Sequence, residues 1–400
     1  MYIRVATLDD KEEWDSFVNS EGGSFFHYFD WKYIYEIRGY QYIPLLLENT
    51  ASQIIGILPV VKKQQGSLYS SLISLPEGAS GGFVLKKDLT NIEKSQALTM
   101  LLRYVDTNYS KSCSTFTLKE NLSLMHESKT ELTEVLIDNG FRLRYDSDAQ
   151  LPCTYILVLK QPFEENIWHD LWGKNTRRSI RHSNKRGVYV KEDKDLKYID
   201  DFVNMMTSTF NRKGSIPLPR EEVVKRLTIF NKTKLFVAFL NKKAIGASLC
   251  YYTPSTCYGS KVPSYNIARG NDVTRLIACE VIRDACKDGY QYFEFGTTFT
   301  SSLAAWKEHF KGTKVPMMIY EKKYSNLRTI IEKMFSLVTY VWNNKRKLFG
   351  KLIRLRMFIP LNRKGWFTPL KLATMDIVFC LKGIKSLEPL ISYLIHHIKK

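Results

Sequence analysis

The fold is decided by two neighbouring stretches, Gly289-Tyr-Gln-Tyr-Phe-Glu-Phe-Gly296 and Trp306-Lys-Glu-His-Phe-Lys-Gly312. Before them, the helical run 276–287 ends at Asp288-Gly289, and a glycine directly after a helix is a common stop signal. The apolar residues after this glycine predict a strand that turns back along the helix. The region therefore predicts an α/β unit.

Elements of such a unit occur twice along the chain. Each copy has two apolar runs joined by a polar turn, and the second run is entered through an Ile-Gly step, a pattern typical of a hairpin. A helix stopped by glycine follows each hairpin. A duplicated α/β unit is the simplest account, and chance recurrence of common hairpin and helix signals is the alternative. The runs are 42–47 with 54–61 and 235–240 with 245–252, and the helices are 132–138 and 276–287.

The composition and the motif content narrow the class of protein. The chain has 400 residues, enough for two domains, and 44% hydrophobic with 25% charged residues is typical of folded protein. No signal-peptide pattern and no apolar run of membrane-spanning length is present. Seven scattered cysteines without C-x-x-C pairs predict reduced thiols in a cytosolic protein. The histidines lack metal-ligand spacing apart from an adjacent final pair, and neither a G-x-S-x-G elbow nor a P-loop occurs, so we expect no metal site.

A strongly basic segment lies between the two copies, over residues 168–188. We interpret it as a helix that ends at Gly187, followed by a strand at 188–190. Ile180 is its only aliphatic residue between Thr176 and Gly187, so packing does not explain it, and its cations need solvent or an anion. Arg177 and Arg181 are four residues apart and share a helix face, which predicts a clamp for one phosphate or carboxylate. A solvated basic face is the alternative.

A second group of polar residues precedes the helix of the later copy, in Arg269-Gly-Asn271-Asp-Val-Thr-Arg275. The segment Gly270-Asn271-Asp272 can cap the helix and direct its N-terminal N–H groups at an anion, with Arg269 and Arg275 on either side. We therefore expect Arg269, Asn271 and Arg275 to bind substrate. A plain helix cap without a ligand is the alternative.

Several short motifs occur in the order found in one known family. The run G-Y-x-x-F-E-F-G, a short polar loop and W-K-x-x-F-x-G resembles the FemAB-like branch of the GNAT-superfamily acyltransferases. The basic segment T-R-R-S-I-R-H-S-N-K-R-G-V is similar to the R-x-x-I-R-K-A-x-K-x-G-V helix of that family. Ser74-Leu-Pro76 with Gly81-Gly82 resembles its S-x-P…G-G stretch, and Trp31 is similar to its early aromatic-Trp motif. The resemblance spans about residues 10–325.

The resemblance implies two GNAT-like modules side by side, with chemistry at their junction. It implies transfer of an amino acid from aminoacyl-tRNA, or of an acyl group from a thioester, onto an amine. Negative charge then grows on the carbonyl oxygen, and a fixed cation directed at that oxygen stabilises the transition state. Lys307 matches the lysine of the family and is our candidate for this role, with Trp306 beside it and Trp31 as expected substrate contacts. A surface lysine on a helix is the alternative.

The sequence departs from the pattern of its relatives in two places, which leaves the acyl donor open. It has no R/Q-x-x-G-x-G/A loop of the kind that marks a CoA-binding GNAT protein, because Arg269-Gly-Asn-Asp has too few glycines. The coiled-coil hairpin of members that grip aminoacyl-tRNA is not evident between residues 150 and 260 either. We expect no tightly bound cofactor, and the donor is either aminoacyl-tRNA or acyl-CoA.

The net charge of +19 is concentrated at the end of the chain. Residues 321–400 hold 17 Lys and Arg against 4 Asp and Glu, a net charge of +13, which leaves +6 for residues 1–320. Residues 343–360 combine a broad apolar helical stripe with a cationic back, the pattern of a helix attracted to an anionic membrane surface. A helix packed on the body and a surface that binds tRNA phosphates are the two alternatives.

These observations predict an α/β protein of two tandem GNAT-like modules, 1–160 and 161–325, with a basic helical extension, 326–400. The predicted function is N-acyl or aminoacyl transfer to an amine of a cell-envelope glycan or its lipid-linked precursor, at the cytoplasmic face of the membrane. One rival is an acetyl-CoA-dependent N-acetyltransferase acting on an amino sugar of a surface polysaccharide. The other is a non-catalytic anion-binding protein with the same fold. The oligomeric state stays open.

Overall fold

The computed structural model describes residues 1–65, 69–120, 129–144, 152–214 and 216–325, which all belong to one compact unit. The predicted basic extension, 326–400, lies outside the described residues.

The described chain is a mixed α/β structure with two sheets. The strands in chain order are β1 (Tyr2–Val5), β2 (Gln41–Glu48), β3 (Ile54–Gln65), β4 (Tyr69–Ser74), β5 (Val84–Leu85), β6 (Cys113–Lys119), β7 (Arg142–Leu143), β8 (Cys153–Val158), β9 (Tyr189–Glu192), β10 (Thr233–Leu240), β11 (Lys243–Tyr252), β12 (Thr256–Gly259), β13 (Tyr292–Glu294), β14 (Thr313–Pro316) and β15 (Ile319–Lys323). The α-helices are α1 (Lys11–Ser20), α2 (Trp31–Ile37), α3 (Asn91–Tyr109), α4 (Lys129–Asp138), α5 (Lys174–Lys185), α6 (Ile199–Lys213), α7 (Arg220–Thr228), α8 (Val273–Lys287) and α9 (Ser301–Glu308).

The two sheets have the same plan. The first runs β1-β2-β3-β4-β6-β15-β7, with β5 paired to β3, and the second runs β9-β10-β11-β12-β13-β8-β14. Each is antiparallel except for one pair, β4 with β6 and β12 with β13. A parallel pair needs a crossover connection, and α3 and α8 supply it. The duplicated α/β unit predicted from the sequence is confirmed, and so are both predicted hairpins, β2–β3 and β10–β11.

The sheets exchange strands relative to chain order. β8 precedes the second copy of the unit in sequence and lies between β13 and β14, whereas β15 comes last among the described strands and lies between β6 and β7. The strand β8 pairs antiparallel with β13, and β15 pairs antiparallel with β6. Through this exchange, main-chain hydrogen bonds join the two halves of the described chain. The predicted boundaries of the two modules, 1–160 and 161–325, stay predictions.

Among the described residues, two large hydrophobic cores belong to the separate sheets and a third large core is shared. The helix α3 packs on the first sheet and α8 on the second. At Gly246 in β11, an added Cβ would lie 3.0 Å from Val273 Cγ1 and 3.1 Å from Ile277 Cδ1, so this glycine permits the close approach of α8. The shared core joins aromatic residues of both halves, such as Phe25, which stacks on Tyr251 with ring centroids 4.4 Å apart. The two sheets therefore pack against each other through this core.

The basic helix predicted after residue 168 is present as α5, but its packing differs from the expectation. Three residues, Thr176, Ile180 and Ser183, are buried on one face. The Thr176 hydroxyl donates to the His309 carbonyl oxygen at 3.0 Å. The expectation that packing does not explain this segment was wrong, because small polar residues fill the interface alongside the single aliphatic one.

Candidate active site

A cavity of about 700 Å³ lies at the carboxyl ends of both parallel strand pairs. Glu77 follows β4 and Lys119 ends β6 in the first sheet, whereas Lys261 follows β12 and Glu294 ends β13 in the second. In α/β sheets, ligands bind in the crevice beyond the carboxyl ends of the strands. The duplicated plan therefore brings four ionisable side chains from equivalent strand ends to one cavity.

The carboxylate of Glu294 is buried in the wall of this cavity. It accepts a hydrogen bond from the Thr154 hydroxyl, with 3.0 Å between the oxygens, and another from the Gly296 N–H. Burial raises the pKa of Glu294 to about 7, although these bonds and the charge of Lys307 oppose the shift. A carboxyl group with this pKa exchanges protons readily at neutral pH, which is the property of a general base.

The ammonium of Lys307 is buried in the same wall, with the residue 2% exposed. It donates to the carbonyl oxygens of Gly296 and Thr297, the latter at 3.3 Å, and to Thr298 Oγ1 at 2.8 Å. Burial lowers the pKa of Lys307 to about 8, and the neighbouring charge of Glu294 opposes the shift. The alternative of a surface lysine is therefore excluded, because the side chain is inside the protein.

The backbone at Gly296 connects these two groups. Its φ is +73°, in the left-handed region, and an added Cβ would lie 3.0 Å from the Gly259 carbonyl oxygen. Glycine suits this position on both counts. The turn directs the Gly296 N–H to Glu294 and the Gly296 carbonyl to Lys307.

Lys119 is a site residue that the sequence analysis missed. It is 7% exposed, and its Nζ donates to the carbonyl oxygens of Glu77 at 3.2 Å and Gly78 at 3.1 Å. Burial lowers its pKa to about 8, whereas Glu77 and Glu294 raise it. The available signal was positional, because Lys119 ends β6 of the first copy as Glu294 ends β13 of the second.

A buried ion network supports the cavity from behind. Arg38 pairs with Glu77 at 2.7 Å and with Glu222 at 2.7 Å, and Arg226 pairs with Glu222 at 2.6 Å and with Glu77 at 3.3 Å. Burial alone would raise the pKa of Glu77, but the charges of Arg226, Lys261 and Arg38 lower it well below its usual range. The network connects the loop after β4 to α7, and so joins the first half of the chain to the second.

The predicted aromatic substrate contacts have different positions. Trp306 is half-buried, lines the cavity and packs on Phe310, with ring centroids 5.0 Å apart. Trp31 is fully buried, and its indole N–H donates to the Phe25 carbonyl oxygen at 3.0 Å. Phe26, which packs on Trp31, is the residue that faces the cavity. Trp31 therefore supports the cavity wall rather than touching its contents.

Arg177 and Arg181 are not among the residues that line the cavity. Arg177 Nη1 donates to three backbone carbonyl oxygens, of Trp168, His169 and Trp172, and the Arg181 guanidinium lies 5.6 Å from the centroid of the Trp168 ring. Arg177 Nη1 thus holds the turn before α5, and binding of an anion by Arg177 and Arg181 together stays a prediction.

Of the three residues predicted to bind substrate before α8, the structure describes the side chain of Arg275. Arg275 donates to Asp272 Oδ1 at 2.8 Å and to Ser179 Oγ at 3.0 Å, which links α8 to α5. The side chains of Arg269 and Asn271 lie outside the described residues, so their predicted roles stay predictions. Within the described ranges, no group of three or more His, Cys, Asp and Glu side chains is arranged to hold a metal ion, and no helix is long and apolar enough to cross a membrane.

Comparisons with known proteins agree with this arrangement. Residues 173–311 match the family model described as the acetyltransferase (GNAT) domain, and no curated protein matches the chain. Among solved structures, FemX is similar at 16% identity and a TM-score of 0.67, over 83% of this chain and 100% of FemX. L-PGS from Bacillus licheniformis has 12% identity and a TM-score of 0.52, over 82% and 96%. A tandem GNAT protein from the clavulanic acid biosynthesis pathway has 8% identity and a TM-score of 0.50, over 81% and 98%.

The likenesses to solved structures show a shared fold, and the family model identifies the second half as a GNAT domain. Residues 173–311 are thus an acetyltransferase-type (GNAT) domain, and the described chain as a whole shares its fold with FemX and with a tandem GNAT protein. Its two-module architecture is FemAB-like, which confirms the resemblance found in the sequence.

Proposed function

We propose that this protein transfers an acyl or aminoacyl group to an amine of a cell-envelope glycan or of its lipid-linked precursor. The observation that carries the proposal is the pair formed by Glu294 and Lys307 in a cavity at the junction of the two sheets. Amide formation needs a base for the attacking nitrogen and a positive charge for the carbonyl oxygen, and this pair supplies both. The similarity to FemX supports the choice of the FemAB-like reaction class.

In the proposed reaction, the lone pair of the acceptor amine attacks the carbonyl carbon of the donor. The carbonyl oxygen of the donor becomes negatively charged and accepts a hydrogen bond from the Lys307 ammonium. It takes the place of the Thr297 carbonyl oxygen, which accepts the longest of the three hydrogen bonds from this ammonium, at 3.3 Å. Glu294 takes the proton from the nitrogen. The bond from carbon to the leaving oxygen or sulfur then breaks, and the leaving group is protonated by Glu294, which returns to the carboxylate.

The pH dependence of kcat/KM is expected to follow the two ionisations. Below about pH 7 Glu294 is protonated and cannot accept a proton, and above about pH 8 Lys307 loses its charge. A narrow bell with limbs near these two values is therefore expected, as apparent values of the pair. In the Glu294→Gln variant the acid limb at about pH 7 should disappear and the maximum should fall. An unchanged acid limb in this variant would assign it to another group, such as the acceptor amine.

The acyl donor is proposed to be aminoacyl-tRNA or acyl-CoA, bound as a substrate and not as a resident cofactor. The test is to incubate the full chain with each donor and with amino-sugar or peptide-bearing envelope precursors, and to weigh the acceptor by mass spectrometry. An added aminoacyl mass supports the proposal in its aminoacyl form. An added acetyl mass on an amino sugar, with thermal stabilisation by acetyl-CoA alone, would replace it with the polysaccharide alternative. No product with any donor would favour a non-catalytic anion-binding protein.

We also propose that residues 343–360 attach the protein to the anionic inner face of the membrane, close to a lipid-linked acceptor. The support is the combination of apolar stripe and basic residues in the sequence, at about 1 kcal/mol for each basic residue near such a surface. Deleting 343–400 is expected to abolish sedimentation with vesicles that contain phosphatidylglycerol. The full chain should be released from them by salt, because the attraction is screened. Equal sedimentation of both proteins would contradict membrane attachment through this segment.

A further inference from the structure

The hydroxyl of Thr154 has one hydrogen and two acceptors within bonding distance. Thr154 lies in β8, the strand inserted between β13 and β14, and it is fully buried. Its Oγ1 is 3.0 Å from Glu294 Oε1 and 2.9 Å from the Gly296 carbonyl oxygen. A hydroxyl donates one hydrogen bond at a time and can accept two. The site therefore has two hydrogen-bond arrangements that differ by rotation of one O–H bond.

These two arrangements fit the two protonation states of Glu294. As a carboxylate, Glu294 only accepts, and the Thr154 hydroxyl donates to it. As a carboxylic acid, Glu294 donates to Thr154 Oγ1, and the Thr154 O–H turns to the Gly296 carbonyl oxygen. The proton that Glu294 gains stays on its carboxyl group, and the hydroxyl keeps its own proton. The carboxyl group thus has a partner in both states, which matters because an unpaired buried polar group is costly.

The second acceptor, the Gly296 carbonyl oxygen, also accepts from the Lys307 ammonium. A carbonyl oxygen has two lone pairs, so it can serve both donors. The Gly296 N–H, in contrast, can only donate, and it favours the ionised form of Glu294. Rotation of the Thr154 hydroxyl therefore connects the protonation of Glu294 to the oxygen that holds Lys307.

The charged and titratable groups around Glu294 come from three other elements. The ammonium groups of Lys307 in α9 and Lys119 in β6 favour the carboxylate, and they oppose the burial that raises the pKa of Glu294 to about 7. Tyr258 of β12 adds a phenol whose own pKa is raised chiefly by burial. Replacement of Thr154 leaves these three groups in place, so a change in the titration of Glu294 would come from the hydroxyl.

We propose that the Thr154 hydroxyl is a two-position hydrogen-bond switch that keeps the Glu294 side chain aligned for proton transfer in both of its protonation states. Thr154 is a positioning residue, because it acts through Glu294 and is not among the residues that line the cavity. The role of Glu294 as the base rests on the proposed function. The exchange of hydrogen bonds does not, since it can be observed in the protein without turnover.

Infrared spectroscopy of the full chain, titrated across neutral pH, reports both states of Glu294, and the difference from Glu294→Gln assigns its bands. In the wild type, the carbonyl band of the protonated form should be that of an acid whose O–H is hydrogen-bonded. In Thr154→Val this band should shift to higher frequency, because the change keeps the shape of the side chain and removes the acceptor.

Thr154→Val also removes a donor to the carboxylate, so the pKa of Glu294 should rise above its wild-type value. The acid limb of the pH profile should move to higher pH with it, and kcat/KM at neutral pH should fall about tenfold, the effect of one hydrogen bond to a charged group. Thr154→Ser keeps the hydroxyl and should restore the wild-type band, acid limb and rate.

The matched control is Thr233→Val in β10. It removes a half-buried hydroxyl that also has two carbonyl oxygens within bonding distance, those of Leu227 at 3.3 Å and Phe230 at 3.2 Å. The carbonyl band and the titration of Glu294 should be the same in this variant as in the wild type.

Two results would overturn the switch. One is a wild-type band typical of a free carboxylic acid, a measurement that needs no variant to fold. The other is a folded Thr154→Val protein in which the band and the titration of Glu294 equal those of the wild type, which would leave Thr154 with a packing role only. Absence of transfer with every donor would refute the proposed function instead, and the infrared result would still decide the switch.

Discussion

Replacing Lys307 with methionine is expected to lower kcat by about 10²–10³-fold while KM for the acceptor changes little. Removal of one oxyanion donor in a closed site has an effect of this size, because the donor acts mainly in the transition state. Methionine keeps an unbranched stem of similar length and removes the charge. The steady-state rate of amide formation, measured for both proteins at the same pH, gives the comparison.

The matched control for this variant is Lys314→Met, which removes an exposed lysine of β14 seven positions along the chain. Its kcat should equal that of the wild type. Because Lys307 also holds the turn at Gly296, thermal denaturation must show that Lys307→Met is folded. A folded variant with a kcat within threefold of the wild type would remove Lys307 from the mechanism.

The largest stability effect is expected at the ion network behind the cavity. Arg226→Met should lower the free energy of unfolding by about 3–5 kcal/mol, because it leaves the two buried carboxylates, Glu77 and Glu222, with Arg38 as their one remaining partner in the network. The side chain of Arg226 is 2% exposed and that of Glu222 is 0% exposed. The Arg226 guanidinium also lies over the Trp31 ring, 4.9 Å from its centroid. Urea unfolding followed by tryptophan fluorescence measures the loss.

Two further variants separate charge from packing in this network. Adding Glu222→Gln to Arg226→Met removes the excess negative charge that Arg226→Met creates, so the double variant should lose less than the sum of the two single losses. Arg220→Met breaks an ion pair with Asp200 in which both side chains are more than half exposed, and it should change stability by less than about 1 kcal/mol. Similar losses of unfolding free energy for Arg226→Met and Arg220→Met would contradict a stabilising role of the buried ion network.

Local patterns were sufficient for much of the fold. The two hairpins, the glycine-stopped helices and α5 were predictable because hairpin turns and helix stops depend on nearby residues. The prediction of Lys307 rested on the motif around it, in which the turn at Gly296 and the short α9 are close in sequence. The strand exchange of β8 and β15 was not predictable in this way, since it joins segments far apart in the chain.

The same limit explains which site residues were missed. Glu294 lay in the decisive stretch but received no role, because its raised pKa comes from burial between segments 140 residues apart. Lys119 and Lys261 come from segments of different sheets and line one cavity because of the duplicated plan. Trp31 was predicted to contact substrate, but it is fully buried in the core. An aromatic residue in a motif can pack in a core as readily as it can touch a substrate.

The central claim is that Lys307 stabilises the transition state of acyl transfer inside the cavity. It is tested most directly by the affinity for a phosphonamidate that joins donor and acceptor and mimics the tetrahedral intermediate. Because catalysis is preferential binding of the transition state, Lys307→Met should weaken binding of this analogue by about the factor lost in kcat/KM, with acceptor affinity unchanged. Calorimetry on both proteins measures the two affinities. Equal affinity of wild type and Lys307→Met for the analogue would contradict the assigned role.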